Sequence, residues 1–151
     1  MKRLCIVPCG SKKIWDIEPE TGPTMAKDAY IGAFGKACQR YASQFFDHWV
    51  ILSAKHGFLY PTDMIHEDYD VSFLSKSDEV IGIDRLTDQV QSKNLADFTE
   101  VHVLGGKKYR TVVEQVYNGD VQLKYPLQHC KGIGYMLQAL NRANNEGKEL
   151  I

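Results

Sequence analysis

The chain has 151 residues and a formal net charge of −1 at pH 7; 44% of its residues are hydrophobic and 25% are charged. These values are typical of one soluble globular domain, spanning residues 1–151, that is long enough to bury a core. The near-zero charge argues against a general polyanion-binding coat, so any basic site must be local. No stretch approaches the roughly 18 apolar residues that span a bilayer, which argues against a membrane partner.

The amino-terminal residues and the cysteines indicate the compartment. The short apolar run after Lys2 and Arg3 predicts a first strand rather than a secretory signal. Four cysteines are present: Cys5, Cys9, Cys38 and Cys130. Their spacing matches no zinc pattern, and the adjacent residues His66, Glu67 and Asp68 would rarely point to one metal centre. We therefore expect reduced thiols, a cytoplasmic protein, no metal and no cofactor.

Short apolar runs and helical periodicities alternate along the chain. Strands are predicted at residues 3–7, 49–53, 101–104 and 121–125. Helices are predicted at residues 26–46, with the regular part beginning near residue 33, and at residues 84–94, 107–117 and 134–144. Residues 54–78 are irregular, and a connection of this length is often functional. The alternation predicts a single-domain α/β fold, a three-layer αβα sandwich with a mainly parallel sheet.

Three of the predicted strands end in small, basic loops. The loops are Cys9-Gly10-Ser11-Lys12-Lys13, Ser53-Ala54-Lys55-His56-Gly57 and Gly105-Gly106-Lys107-Lys108-Tyr109-Arg110. The carboxyl ends of parallel strands meet at one edge of a sheet, where open α/β folds bind their ligands. An anionic or nucleotide-like ligand is therefore the leading hypothesis.

The first loop combines a glycine, a hydroxyl, two ammonium groups and a thiol. Backbone N–H groups around Gly10 can form an anion-binding nest, to which Ser11, Lys12 and Lys13 add side-chain contacts. The full G-x-x-x-x-G-K-[ST] spacing is absent, which argues against ATP or GTP hydrolysis. An ordinary polar exit from the strand is the alternative, and a reactive thiol at Cys9 is a third interpretation.

The second loop carries the most specific signal. Lys55 can neutralise a phosphate or a developing anion, and His56 can exchange a proton near neutral pH. Both residues follow a predicted buried strand, and Gly57 permits a close backbone approach. We predict catalytic roles for Lys55 and His56, with Ser53 contacting the ligand; a purely structural histidine is the alternative.

An acidic segment, residues 65–70, lies within the irregular connection. A basic pocket that performs acid–base chemistry needs a carboxylate, and Asp70 is the preferred candidate. Tyr69 and Tyr30 are candidates for stacking on a base. A solvated acidic loop is the alternative.

The third loop lies where a strand turns into a helix. A helix N-terminus and paired glycines favour an anion, and Arg110 can bind phosphate through two nitrogens. We predict that the ligand contacts Gly105, Gly106, Tyr109 and Arg110, and we favour these four residues over the two lysines of the loop.

Together these blocks resemble an uncharacterised bacterial family of small α/β domains. The family carries five motifs: Cys-x-Ser-Lys-Lys, Tyr-x-x-x-Phe, Ser-Ala-Lys-His-Gly, Tyr-Asp and Gly-x-x-Tyr. In this sequence they correspond, in that order, to Cys9, Ser11, Lys12 and Lys13; to Tyr30 and Phe34; to residues 53–57; to Tyr69 and Asp70; and to Gly106 and Tyr109. The chain is also distantly similar to the Pro-Cys-Ser-Lys-Lys-bearing domain attached to archaeal tRNA-guanine transglycosylase relatives. That domain is similar to uracil-DNA-glycosylase-like folds, which are three-layer α/β sandwiches. The resemblance implies a ligand that contains a nucleotide or nucleobase, alone or within a nucleic acid.

Two functional hypotheses remain open. The first is an enzyme that acts on a nucleotide, nucleoside or modified base by hydrolysing an N-glycosidic bond. In it, His56 or Asp70 positions water, while Lys55, Lys12 and Arg110 hold the phosphate or the departing base. The second is a non-catalytic module that binds a nucleotide or nucleic acid through the same basic loops.

Overall fold

The computed structural model describes residues 2–117 and 119–150. The strands are β1 (Arg3–Pro8), β2 (Thr24–Met25), β3 (Trp49–Ser53), β4 (Gly57–Leu59), β5 (Met64–Ile65), β6 (Glu100–Val103) and β7 (Gln122–Lys124). The helices are α1 (Ala26–Ala29), α2 (Ala33–Phe45), α3 (Ile83–Ser92), α4 (Lys107–Val116) and α5 (Ile133–Glu146). A single 3-10 turn lies at Ile14–Asp16 within this described part.

A five-stranded, mostly parallel sheet forms the centre of the domain. Its order is β4-β3-β1-β6-β7, in which β1 is parallel to β3 and β6, β6 is parallel to β7, and β4 is antiparallel to β3. In the registers, Val7 pairs with Ile51 and Ile6 with Val103. The central strands are buried along nearly their whole length, which explains their continuous apolar sequences. The prediction of a mixed α/β domain with a mainly parallel sheet is confirmed.

The irregular connection of residues 54–78 contains two short strands, β4 and β5, that were not predicted from the sequence. Strand β4 returns antiparallel to β3 after a turn at Ala54–His56, and Gly57 permits this turn because its φ is +77°. A separate two-stranded antiparallel sheet joins β2 to β5. These additions join β4 to the central sheet and β5 to β2 before the chain continues through the acidic segment.

The first predicted helix is two helices. The backbone of Tyr30 and Gly32 is extended, so α1 ends before this break and α2 begins at Ala33, as the sequence analysis expected for its regular part. Helix α2 packs on β1 and α5, α3 packs on β4 and α4, and α4 packs on β6. Among the described residues, every helix is too short or too polar to cross a membrane.

Two contacts orient α5 relative to the sheet. Just beyond its C-terminal end, Glu149 forms an ion pair with Arg3, the first residue of β1, and the Leu150 N–H donates to the Tyr41 hydroxyl at 3.0 Å. The C-terminal end of α5 therefore lies at the amino edge of the sheet. The chain enters the N-terminus of α5 through residues 125–132, after leaving β7 at the carboxyl edge.

Candidate functional site

The three predicted loops meet at one edge of the sheet. Strands β3, β1 and β6 are parallel neighbours, so the chain leaves all three at the same edge. Side chains of the first two loops contact aromatic residues from elsewhere in the chain. We call this set the carboxyl-edge cluster; its members are Cys9, Lys13, Tyr30, Ser53, Lys55, His56, Tyr69 and Tyr109.

A chain of hydroxyl groups runs through the cluster. The Tyr69 hydroxyl is hydrogen-bonded to the Tyr30 hydroxyl and lies 2.7 Å from the Ser53 Oγ. The Ser53 Oγ also accepts the backbone N–H groups of Lys55 and His56, at 3.2 and 3.1 Å. Because these N–H groups occupy its acceptor positions, the Ser53 hydroxyl donates to the Tyr69 hydroxyl. The second loop is thus fixed to a buried hydroxyl network.

The phenols of the cluster remain neutral at physiological pH. Burial raises the pKa of Tyr69 to about 12, and nearby Cys9 contributes in the same direction. Burial also raises the pKa of Tyr30 and of Tyr109 well above the usual range. These groups therefore act as neutral hydrogen-bonding hydroxyls rather than as phenolates.

The Cys9 thiol lies next to Tyr109. The Cys9 Sγ is 3.5 Å from the Tyr109 hydroxyl, and the ring of Phe73 meets the Tyr109 ring edge-on at 5.7 Å. Gly105 makes this arrangement possible, because its φ is +107° and a Cβ there would lie 3.2 Å from both Pro8 and Tyr109. Gly105 therefore has a packing role beside Tyr109, and its contact with a ligand stays a prediction.

Lys13 is a buried cation, only 4% exposed. Its Nζ donates to the Ser11 carbonyl oxygen at 3.2 Å and lies 4.3 Å from the centre of the Tyr69 ring. It forms no ion pair with any carboxylate of the described chain. A backbone bridge to Tyr30 and an N–H donated to the Asp16 carboxylate at 2.8 Å hold the residue in place. The cluster therefore contains an ammonium group whose charge the fold does not neutralise.

His56 and Lys55 lie half-buried beside the ring of Tyr69. The His56 ring meets the Tyr69 ring edge-on at 5.0 Å, and its Nε2 is buried without a hydrogen-bond partner among residues 2–117 and 119–150. Burial, together with the charges of Lys55 and His66, lowers the pKa of His56. At neutral pH this imidazole is uncharged and can accept a proton. The Lys55 Nζ lies 5.7 Å from the Tyr69 ring and 3.8 Å from an exposed Glu79 carboxylate, a pairing that neutralises it weakly.

Gln89 of α3 holds the second loop in position. Its Nε2 donates to the His56 carbonyl oxygen at 2.9 Å, and its Oε1 accepts the Phe58 N–H at 2.8 Å. A Cβ at Gly57 would lie 2.2 Å from this Oε1 and 2.7 Å from the Ile81 Cδ1, so a side chain there would displace Gln89, and the φ of +77° itself favours glycine. Gln89 was not predicted from the sequence as a site residue, although it is a polar residue on the apolar stripe of α3, between Leu86 and Val90.

Several predicted site residues lie outside the cluster. Asp70 is exposed and, within the described residues, makes no side-chain hydrogen bond or ion pair. The neighbouring Asp68 carboxylate instead accepts the Tyr69 N–H at 2.8 Å. Arg110 lies 5.8 Å from the ring of Tyr125, at the end of β7, and its buried Nε has no partner in the part of the chain that is described.

The remaining predicted residues have peripheral or backbone roles. Ser11 and Lys12 are exposed, and Gly10 turns the first loop with a φ of +75°. Gly106 is the N-cap residue of α4. These positions border the cluster without contacting the hydroxyl chain.

The aromatic side chains of the cluster are closely packed in this conformation. Tyr30 is 0% exposed and Tyr69 is 8% exposed, so neither ring offers a face on which a base could stack in this conformation. Two clefts lie elsewhere: one at the amino edge, near Trp49 and Phe98, and one beside α5. The buried aromatic side chains of Tyr30, Tyr69 and Tyr109 occupy space at the strand ends in this conformation, and the basic pocket predicted there stays a prediction.

Among the described residues, no three His, Cys, Asp or Glu side chains are grouped closely enough to hold a metal ion. The cluster itself offers hydroxyl, thiol, imidazole and ammonium groups.

The fold and site define a small α/β protein whose parallel sheet presents a buried, hydroxyl-rich and basic cluster at its carboxyl edge. A family model described as "Family of unknown function (DUF6884)" matches residues 4–142, and the chain belongs to this family. The chain is 54% identical over 150 residues to "Uncharacterized protein YfjM" of Bacillus subtilis (strain 168), covering 99% of this chain and 100% of that protein. The expected membership in a family of small α/β domains is confirmed.

A search of solved structures finds the "Crystal structure of AF0587, a protein of unknown function". It aligns with a TM-score of 0.46 and 13% identity, over 99% of this chain and 46% of that chain. The chain thus spans about half the length of that solved protein. The similarity to tRNA-guanine transglycosylase relatives stays a hypothesis.

Proposed function

We propose that the carboxyl-edge cluster binds a ligand that contains a nucleotide or nucleobase, and that it does so through an anionic phosphate. The observation that carries the proposal is the buried Lys13 ammonium, which has no carboxylate partner in the described chain. A buried charge costs several kcal/mol unless it is paired, and a phosphate oxygen would supply the missing partner. Lys55, near the same Tyr69 ring, provides a second cation.

Ligand access requires part of the cluster to move. Tyr69 and Phe73 belong to the irregular segment before α3, and both cover cluster residues. Displacing Tyr69 would expose the Lys13 ammonium and an aromatic face at the same time. The proposal therefore combines a phosphate on the two lysines with a base against the displaced ring.

The binding proposal is tested by isothermal titration calorimetry with pyrophosphate, AMP, GMP, CMP and UMP. We expect the wild type to bind pyrophosphate or at least one of these nucleotides, and Lys13→Gln to weaken that binding about tenfold, because a charge-assisted hydrogen bond is lost. The matched control is Lys76→Gln, which removes the same charge from an exposed position. Failure of the wild type to bind any of these probes would contradict the proposal, as would equal losses in the two variants.

Hydrolysis of an N-glycosidic bond is the second candidate function. Its support is His56, a neutral imidazole whose Nε2 is buried and has no partner among the described residues. His56 would take a proton from the attacking water, and the bond between the sugar and the base would break as the water oxygen bonds to the sugar carbon. Lys55 would stabilise the negative charge of the departing base. The exposed Asp70 has weaker support for a catalytic role.

Release of free base from a panel of nucleotides and modified DNA tests this second function. We expect base release by the wild type and its loss in His56→Ala, with ligand affinity nearly unchanged. Absence of release from every substrate, with nucleotide binding intact, would leave the protein as a non-catalytic binding module.

We also propose that helices cover both faces of the sheet in a three-layer sandwich. Cys5 of β1 lies near Cys38 of α2. Burial raises the pKa of the Cys38 thiol, and the nearby Cys5 raises it further. Its neighbours Leu4 and Ile6 point to the opposite face, since side chains alternate along a strand, and both are buried. Helices α3 and α4 are available to form that second layer. An experimental structure with all the helices on one face would contradict this arrangement.

We propose a cytoplasmic location because the cysteines are free thiols. All four are free thiols, and three of them are buried. Free thiols are typical of reducing compartments. Fractionation of cells that express a tagged chain would test this location, and recovery in an extracellular fraction would contradict it.

A further inference from the structure

A cleft of about 400 Å³ opens beside α5, apart from the carboxyl-edge cluster. Its lining residues are His129, Cys130, Lys131, Tyr135, Gln138, Ala139 and Arg142. The last four recur at helical spacing and form one face of α5, while the loop of residues 129–131 forms the opposite wall. The other face of α5, which includes Met136 and Leu140, is buried. The cleft is therefore a groove between one solvent-facing helix face and the loop that precedes the helix.

The groove is basic and aromatic. None of its described lining residues is acidic, and neither Lys131 nor Arg142 forms an ion pair with another described residue. Tyr135 is 62% exposed at the groove, a large exposure for an aromatic side chain. Cations interleaved with an exposed ring are the elements with which proteins bind single-stranded nucleic acids.

The groove also has a defined position and length. The connection that leads into the N-terminus of α5 leaves β7 at the carboxyl edge, where the proposed nucleotide site lies. Tyr135 and Arg142 are seven residues apart, about 10 Å along the helix axis. The overall charge of −1 makes this concentration of cations local rather than part of a general basic surface.

We propose that the groove binds a single-stranded nucleic acid, with phosphates on Lys131 and Arg142 and a base stacked on Tyr135. This inference rests on the proposed function, because it makes the nucleotide at the carboxyl-edge cluster part of a longer strand. A free mononucleotide carries the same phosphate and base as a nucleotide within a strand. The test therefore includes one experiment with an oligonucleotide and one with a mononucleotide.

The test is fluorescence anisotropy with a labelled oligothymidylate and, in parallel, calorimetry with thymidine monophosphate. We expect Tyr135→Ala to weaken oligonucleotide binding about tenfold, because one base–aromatic stack is lost. Arg142→Ala should weaken it about fivefold and lower the slope of log K against log salt concentration by about 0.7, the value of one phosphate contact. Neither change should alter the affinity for thymidine monophosphate.

The control is Arg85→Ala, which removes an equal charge from an exposed position on α3. Equal losses in Arg85→Ala and Arg142→Ala would overturn the proposal, since bulk charge alone would then explain the binding. Failure of the wild type to bind the oligonucleotide would also overturn it, as would an equal effect of Tyr135→Ala on thymidine monophosphate.

The Lys13→Gln variant separates this inference from the proposed function. Oligonucleotide binding that is sensitive to Tyr135→Ala and insensitive to Lys13→Gln supports the groove and contradicts the carboxyl-edge site. Oligonucleotide binding that Lys13→Gln weakens and Tyr135→Ala leaves unchanged would support the carboxyl-edge site and overturn the proposal for the groove.

Discussion

The Lys13 Nζ lies 4.3 Å from the centre of the Tyr69 ring, and both side chains are buried. A desolvated cation–π contact contributes about 2 kcal/mol, less than the several kcal/mol that burying an unpaired charge costs. The hydrogen bond from the Lys13 Nζ to the Ser11 carbonyl oxygen offsets part of the remaining free-energy cost. The incomplete compensation of this charge is the physical basis for proposing an anionic ligand at the carboxyl edge.

Replacing Lys13 should increase the stability of the domain, although it weakens the proposed ligand binding. Because the ammonium is incompletely compensated, we expect Lys13→Met to raise the free energy of unfolding by about 1 kcal/mol. Urea denaturation followed by circular dichroism measures the change, and Lys76→Met serves as the exposed control with a change near zero. A loss of stability in Lys13→Met would show that the fold already compensates the charge.

Removing the Tyr69 hydroxyl should destabilise the domain. In Tyr69→Phe the hydroxyls of Tyr30 and Ser53 each lose a buried partner, and we expect a loss of about 2 kcal/mol. The same measurement on Tyr135→Phe, where the ring is exposed, should show a change below about 0.5 kcal/mol. Equal effects in the two variants would refute the hydroxyl chain as a structural element.

The turn after β3 should not tolerate a side chain. Gly57→Ala combines a φ of +77° with a Cβ placed 2.2 Å from the Gln89 Oε1, and we expect a loss of about 3 kcal/mol. Thermal unfolding measures it. Gly22→Ala has open space around the added methyl group and should unfold like the wild type; a wild-type unfolding temperature in Gly57→Ala would contradict the described loop.

The stability of the domain should depend on pH through His56. Burial, Lys55 and His66 lower the pKa of His56 in the folded protein, whereas a histidine in the unfolded chain titrates near about 6.5. The unfolded chain therefore binds more protons, and the stability contribution present above about pH 6.5 is lost as the pH falls toward the lower folded pKa.

His56→Gln should accordingly lose less stability than the wild type between about pH 7.5 and about pH 5.5. Denaturant titrations at the two pH values measure this difference. His129→Gln, at an exposed position, should behave like the wild type. An identical pH dependence in His56→Gln and the wild type would contradict the burial of this imidazole.

The sequence predicted the sheet better than the site. Apolar runs located β1 and β3 within a residue, and parallel pairing then brought their loops together at one edge. The contacts between Tyr30, Tyr69 and Ser53 could not be predicted, because hydrogen bonds across 39 and 16 residues depend on how the irregular segment folds back. Asp70 lies outside the cluster for the same reason, because it is exposed while its neighbour Tyr69 is buried, and its catalytic role stays a prediction.

A crystal structure of the protein soaked with the mononucleotide that binds most tightly in calorimetry would test the central claim most directly. We predict a phosphate oxygen within hydrogen-bonding distance of the Lys13 Nζ, with Tyr69 displaced from its present position. A bound nucleotide located away from the carboxyl edge, with the ring of Tyr69 still covering Lys13, would contradict the claim.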